Sequence, residues 1–81
     1  MYLFTPNGDG FNDYWELPLS QWGRCEVKVY NRWGKPVYDN PDYNNLWDGT
    51  SGGNPVPEGA YYFIVKTETL GIIKGTVNIV R

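Results

Sequence analysis

Histidine is absent from the sequence, and cysteine occurs once, as Cys25. These two facts exclude a disulfide framework within the chain and the usual zinc, haem and Cys–His sites. A general base would have to be a carboxylate, and no Asp or Glu stands in the apolar setting that such a base needs. Ser20 and Ser51 lack the Gly-x-Ser-x-Gly context of a nucleophile. The sequence therefore predicts that the chain is not an enzyme and that Cys25 is a small core residue.

Clustered charge and long apolar runs are also missing. The net charge is -2, from seven basic and nine acidic residues that are scattered along the chain. Nucleic acids and anionic lipids both require clustered Lys and Arg, so neither is an expected partner. No run approaches the roughly 20 apolar residues of a membrane span, and the N-terminus lacks the layout of a signal peptide. We expect the natural protein to continue upstream of Met1, where any signal peptide would lie.

Aromatic residues are what the chain has in abundance. They make up 17% of its 81 residues and include four Trp and seven Tyr. A chain of this length forms one domain and buries about 60% of the surface that its unfolded form exposes. We therefore expect one domain over residues 1–81, with a core built from a few large side chains and modest stability.

Turn residues recur every 8 to 12 positions, and no segment has a sustained helical period, which predicts an all-β fold with almost no helix. The expected strands are residues 24–31, 35–39, 44–48, 60–69 and 72–80, with the first two forming a hairpin and residues 49–59 forming an irregular loop. Six or seven short strands of this spacing favour an immunoglobulin-like antiparallel β-sandwich. A small barrel is the alternative.

Two details of the last strands carry further predictions. The first half of strand 60–69 is apolar on both faces, which is typical of a strand in the middle of a sheet. Gly75 interrupts the alternation of strand 72–80. It predicts either a β-bulge or a close approach of another group to the backbone.

Residues 4–13, FTPNGDGFND, resemble the first part of an EF-hand-type calcium loop, although Thr5 stands where Asp is expected at the first position. Glu16 falls at the twelfth position. The other candidate ligands supply oxygen atoms, as calcium prefers, and are Asn7, Asp9, the Phe11 carbonyl and Asp13. The sequence favours a simpler interpretation, in which Asn-Gly and Asp-Gly form turns and Asn12 and Asp13 cap backbone amides. No cofactor is therefore predicted, and calcium remains the alternative.

Three tryptophans, Trp22, Trp33 and Trp47, could form a platform on which sugars stack. Aromatic residues at strand ends of a small sandwich more often fill its open ends. We predict that Trp33 and Trp47 have this structural role. Trp22 lies in a Ser-Gln-Trp-Gly turn, where both a core position and an exposed stacking position stay open.

Five sequence blocks in a fixed order resemble a known family. They are residues 4–13 (FTPNGDGFND), 30–34 (YNRWG), 47–49 (WDG), 57–62 (PEGAYY) and 74–81 (KGTVNIVR). Together they are similar to the gliding-motility-associated C-terminal domain, which is CHU_C-like and is the type B sorting domain of the type IX secretion system. Each block alone is common, whereas the ordered set covers nearly the whole chain. The middle blocks also resemble the immunoglobulin-like domain of flagellar hook-assembly proteins, which supports the sandwich by analogy.

The resemblance implies a C-terminal sorting domain that follows a passenger protein, such as an adhesin or a polysaccharide-degrading enzyme. The passenger would cross the outer membrane through the type IX secretion machinery with a PorP/SprF-type outer-membrane protein as partner. It would end at the cell surface or outside the cell. The alternative is a carbohydrate-binding or calcium-stabilised accessory module of a secreted enzyme or adhesin.

A sorting domain needs a reproducible surface for the translocon to recognise. We predict that the loop 5–13, the turn 31–34 and the strand 74–81 supply this surface. The candidate recognition residues are Asn7, Asp9, Asn12, Asp13, Arg32, Trp33, Lys74 and Arg81. Each of the three segments could equally be structural, as turn, core residue or sheet edge.

Overall fold

The computed structural model describes residues 2–6 and 13–80, and its regular elements are mostly strands. In chain order the described elements are β1 (Tyr2–Phe4), α1 (Leu19–Trp22), β2 (Cys25–Tyr30), β3 (Pro36–Asn40), β4 (Thr50–Ser51), β5 (Asn54–Pro55), β6 (Gly59–Thr67) and β7 (Gly71–Ile79). None of the described helices is long and apolar enough to cross a membrane. The prediction of an all-β sandwich with six or seven short strands is confirmed.

Five of the strands form one sheet in the order β1-β7-β6-β2-β3, so β6 is central, as its two apolar faces predicted. All neighbours in this sheet are antiparallel except β1, which runs parallel to β7. A hairpin turn forces antiparallel pairing, but β1 and β7 lie at opposite ends of the chain and no such turn joins them. The sheet is antiparallel apart from this one pair, and β1 was not among the expected strands.

The core lies on one face of this sheet, because successive side chains along a strand point to opposite faces. In β2 the buried side chains are Cys25, Val27 and Val29, and their neighbours are half-buried. Six buried side chains from segments outside this sheet pack into the same core, and they are Trp15, Leu17, Trp22, Tyr43, Trp47 and Val56. The buried core consists of Phe4, Trp15, Leu17, Trp22, Cys25, Val27, Val29, Tyr43, Trp47, Val56, Tyr61, Phe63, Val65, Val77 and Ile79. Cys25 is thus the small core residue that the sequence predicted.

The strand that we expected at residues 44–48 does not form, and the loop expected at residues 49–59 contains β4 and β5. Asn45 explains the first difference because its φ of 61° is left-handed and incompatible with a strand. Its side chain bonds the backbone of Leu17 on both sides, accepting from the N–H at 2.9 Å and donating to the carbonyl at 3.1 Å. A side-chain amide therefore replaces the pairing that a strand would provide.

Gly75 makes the close contact that the sequence predicted, without a bulge. The β6–β7 register runs without a shift from Gly59↔Ile79 to Thr67↔Gly71. A Cβ added at Gly75 would lie 2.8 Å from Cζ of Phe63, which is on the facing strand. The irregularity in the sheet lies between β2 and β3 instead, at Val29 and Tyr30.

We expect Gly75→Ala to lower the free energy of unfolding by about 1–3 kcal/mol, because the added methyl group overpacks the core against the Phe63 ring. Urea denaturation measures the change. The neighbouring Lys74 is exposed, so Lys74→Ala is the control and should stay within about 0.5 kcal/mol of the wild type. A Gly75→Ala domain as stable as the control would contradict the close contact.

The buried hydroxyl of Tyr43 joins the backbone at Trp15 to the backbone at Trp47. The Tyr43 hydroxyl donates to the carbonyl of Trp15 and accepts from the backbone N–H of Trp47 at 3.3 Å. Trp15 and Trp47 are also joined directly, by a backbone bond of 3.0 Å from the N–H of Trp15. Burial raises the pKa of Tyr43 well above its ordinary value near 10, although the bond from Trp47 opposes this shift.

This shift predicts a loss of stability at high pH. The unfolded state releases the Tyr43 proton near pH 10 and the folded state keeps it, so the free energy of unfolding falls as the pH rises above about 10. The limiting slope is about 1.4 kcal/mol per pH unit. Burial and, secondarily, Glu68 raise the pKa of Cys25, which adds a fall of the same sign. Urea denaturation between pH 8 and 11 should show a shallower fall in Tyr43→Phe than in the wild type. An equal slope in the two proteins would refute the assignment.

Candidate recognition surface

The connection between β2 and β3 is a tight turn, and the side chain of Asn31 holds its backbone in place. The Asn31 carboxamide oxygen accepts from the backbone N–H groups of Trp33 and Lys35, each at 3.0 Å. The backbone of Asn31 also pairs with Lys35 and with Gly34, at 2.9 Å in both cases. Gly34 has a φ of 80°, which favours glycine. The backbone of the turn is thus satisfied locally, and the side chains of Arg32 and Trp33 are left at its tip.

Trp33 is 76% exposed, which is the largest exposure among the described large hydrophobic side chains. The guanidinium carbon of Arg32 lies 4.4 Å from the centroid of the Trp33 ring, so the two side chains form a cation–π pair. Our prediction that Trp33 fills an end of the sandwich is wrong, because the turn carries it beyond the end of the sheet. The same prediction is confirmed for Trp47, and Trp22 is buried as well.

A groove of about 370 Å³ runs between this turn and the segment that leads into β6. Its lining is mostly apolar, with one basic and one acidic side chain, and consists of Asn31, Arg32, Trp33, Val37, Val56, Pro57, Glu58, Gly59, Ala60 and Tyr61. The described residues contain no carboxylate within 4.0 Å of the Arg32 guanidinium, since their ion pairs are Arg24–Asp42 and Lys28–Glu26. Arg32 is therefore available to an acidic or polar group of a ligand.

The wall of the groove opposite the turn is held in place by hydrogen bonds. The hydroxyl of Tyr61 donates to the carbonyl of Pro57 at 2.6 Å, and the backbone N–H of Val56 donates to the carbonyl of Gly49 at 2.9 Å. Val56 and Tyr61 also belong to the buried core. A groove with both walls fixed is preorganised, so binding a partner would cost little conformational entropy.

The register of the sheet shows which parts of the chain share the end where this groove lies. Tyr30, the last residue of β2, pairs with Tyr62 near the start of β6. Ile79, the last residue of β7, pairs with Gly59 and with the last residue of β1, Phe4. The turn 31–34, the segment before β6 and the last residues of β1 and β7 therefore meet at one end of the sheet.

Among the candidate recognition residues that the structure describes, two come together at this end. Arg32 and Trp33 form the pair described above, whereas Lys74 lies in β7 opposite Ile64. Lys74 is five residues from Ile79, or about 17 Å along the strand, and it points to the face of the sheet opposite the core. Asp13 is half-buried and lies two residues before Trp15. The remaining candidates, Asn7, Asp9, Asn12 and Arg81, lie outside the described residues.

The calcium alternative gains no support from the part of the chain that the structure describes. Three of the proposed ligands, Asn7, Asp9 and Phe11, lie outside the described residues. Within residues 2–6 and 13–80, no group of three or more His, Cys, Asp or Glu side chains could hold a metal ion. Calcium binding by Asn7, Asp9, Phe11 and Asp13 stays a prediction.

Sequence reasoning missed one wall of the groove. The sequence places Val56, Pro57 and Gly59 only in the irregular loop 49–59, whereas the structure places them along the groove. The signal that could have linked them to the turn 31–34 was the alternation in β2 and β6. Antiparallel pairing of those two strands brings the end of one to the start of the other.

Comparison with known proteins gives one result. A family model described as CHU_C Type IX secretion signal domain matches residues 1–79, nearly the whole chain. A comparison with curated proteins finds no match, and a comparison with solved structures finds none either.

Proposed function

The chain belongs to the family of CHU_C type IX secretion signal domains, and from this membership we propose that it is the non-catalytic C-terminal sorting domain of a longer exported protein. The passenger precedes it in the chain and is carried through the type IX secretion machinery to the cell surface or the exterior. The match of the family model over residues 1–79 is the observation that carries this proposal.

The groove beside Trp33 is our candidate for the surface that the machinery recognises. An exposed Trp places a large apolar area in water, and burial of that area by a partner is favourable. Trp, Tyr and Arg are the residue types most enriched among the dominant contacts of protein interfaces, and all three line this groove. The cation–π pair restrains the Arg32 and Trp33 side chains before binding.

We propose a PorP/SprF-type outer-membrane protein as the direct partner. The test uses a reporter that carries an N-terminal signal peptide and this domain at its C-terminus, expressed in a type IX host with and without its PorP/SprF-type protein. We expect export only when that protein is present, because the domain has to be recognised before its passenger can cross. Equal export in both strains would refute this partner while leaving the sorting role intact.

A glycan-binding accessory module is the second candidate function, and the exposure of Trp33 is the observation that favours it. Of the three tryptophans considered for sugar stacking, Trp22 and Trp47 are buried and Trp33 is exposed. A glycan would therefore have to stack on Trp33. Sedimentation of the purified domain with insoluble polysaccharides tests it. Binding that Trp33→Ala abolishes in a folded domain would favour this function over sorting.

A further inference from the structure

Among the described residues, one edge of the five-stranded sheet is only partly paired. The strand β7 is nine residues long, and β6 pairs with it along its whole length. On the other side, β1 pairs only with Val77, Asn78 and Ile79. No described strand pairs with this outer side of β7 from Ile72 to Thr76. Its backbone N–H and C=O groups on that side are available to another strand.

Apolar side chains accompany this open edge. Ile72 is 58% exposed, and Leu70, in the turn before β7, is 62% exposed. Ile73 packs against the core but is only partly buried. Edges of sheets are usually protected by charged residues, proline or bulges, and here Lys74 is the one charged residue between Ile72 and Thr76. An added strand would cover apolar surface and satisfy backbone groups together.

The direction of β1 identifies the segment that would reach this edge. Because β1 is parallel to β7 and Tyr2 pairs with Val77, a chain that continues toward the N-terminus runs past Thr76 and on to Ile72. We propose that the segment immediately before Met1, in the longer chain that carries a passenger, extends β1 along the open edge of β7. This inference rests on the proposed function, since it requires a passenger upstream.

The register also specifies which residues of that segment face the core. Phe4 is buried and pairs with the buried residue Ile79, whereas Leu3 is exposed and pairs with Asn78. Alternation then places the first and third residues before Met1 opposite Gly75 and Ile73, on the core face. The second and fourth residues lie on the outer face. The pairing strand is therefore apolar at its first and third positions before Met1, and it is polar at the second and fourth.

Two six-residue extensions of equal composition test this register. The in-phase extension is Thr-Val-Thr-Val-Thr-Val before Met1, and the out-of-phase extension is Val-Thr-Val-Thr-Val-Thr. A Gly-Ser extension of the same length is the reference, because it has little tendency to form a strand. Amide hydrogen exchange is measured for the residues of β7 between Ile72 and Thr76 that point away from β6.

We expect the in-phase extension to slow this exchange by about tenfold relative to the Gly-Ser reference, since the amides become part of a strand pair. The out-of-phase extension should leave exchange near the reference, because it would place its valines in water. Equal protection by both extensions, or protection by neither, would overturn the proposal. Protection that grows with protein concentration would also overturn it, since it would show pairing between two copies.

Amides in the centre of β2 and β6 report whether each extended protein is folded, and their exchange should be the same in all three. The measurement is made on purified protein, so failure of export in cells would not alter it. Conversely, an unprotected β7 edge would leave the sorting role untouched.

Discussion

Trp33→Ala should lower export of a passenger by about tenfold or more while leaving the stability of the domain within about 0.5 kcal/mol of the wild type. The side chain is 76% exposed, so its removal takes little from the core. If the groove is the recognition surface, the same change removes its largest apolar contact. Export is measured as the fraction of a reporter found outside the cell, and stability is measured by urea denaturation.

Leu70→Ala is the matched control for this variant. Leu70 is also a large exposed side chain, but it lies in the turn between β6 and β7, at the opposite end of the sheet from the groove. We expect it to export normally. Export of Trp33→Ala at the wild-type level, or an equal loss of export in both variants, would show that the groove is not the recognition surface.

Trp47→Ala should have the opposite result and destabilise the domain by about 3–5 kcal/mol. The side chain is 1% exposed, and its ring contacts Phe4, Trp15 and Tyr38, with centroids 5.2 to 6.2 Å apart. Its indole N–H donates to the carbonyl of Thr50 at 3.0 Å, and the substitution would leave this carbonyl without that donor. Since domains of this size have only about 5–15 kcal/mol of stability, much of that stability would be lost.

Thermal or urea unfolding measures this effect, and Trp33→Ala is its control because the same residue type is removed from an exposed site. A Trp47→Ala domain with the stability of Trp33→Ala would contradict the buried position of Trp47. If both results are obtained, Trp47 is required for folding and Trp33 for export.

The regular part of the fold could be predicted because alternation along a strand is a local property. The strands β2 and β7 follow from runs in which apolar and polar residues alternate, and β6 follows from a largely apolar run bounded by turn residues. The strand β1 has only three residues, and its parallel pairing depends on β7, at the other end of the chain. No local pattern predicts such a contact.

The irregular layer and the site were harder to predict, for a related reason. Asn45 ends the pattern of a strand through its own backbone conformation and its bonds to Leu17, a residue 28 positions away. A turn has no periodicity that indicates whether an aromatic residue points inward or outward, so Trp33 was predicted to be in the core. Its exposure follows from the position of the whole turn beyond the sheet.

The ordered sequence blocks identified the family, and the structure separates two kinds of residue within them. Trp47 belongs to the core, and Gly49 is buried with a φ of 78°. The block at residues 30–34 forms the self-contained turn that presents Arg32 and Trp33. Blocks of the first kind are explained by folding alone. Folding does not explain the exposed pair, which is why we propose it as part of the recognition surface.

The central claim is that this domain by itself directs a passenger out of the cell. The direct test compares one fluorescent reporter, with an N-terminal signal peptide, with and without these 81 residues at its C-terminus in a type IX host. We predict that the fused reporter appears at the cell surface or in the medium and that the unfused reporter stays in the periplasm. Retention of both reporters in the periplasm, while the host still exports its own cargo, would contradict the account.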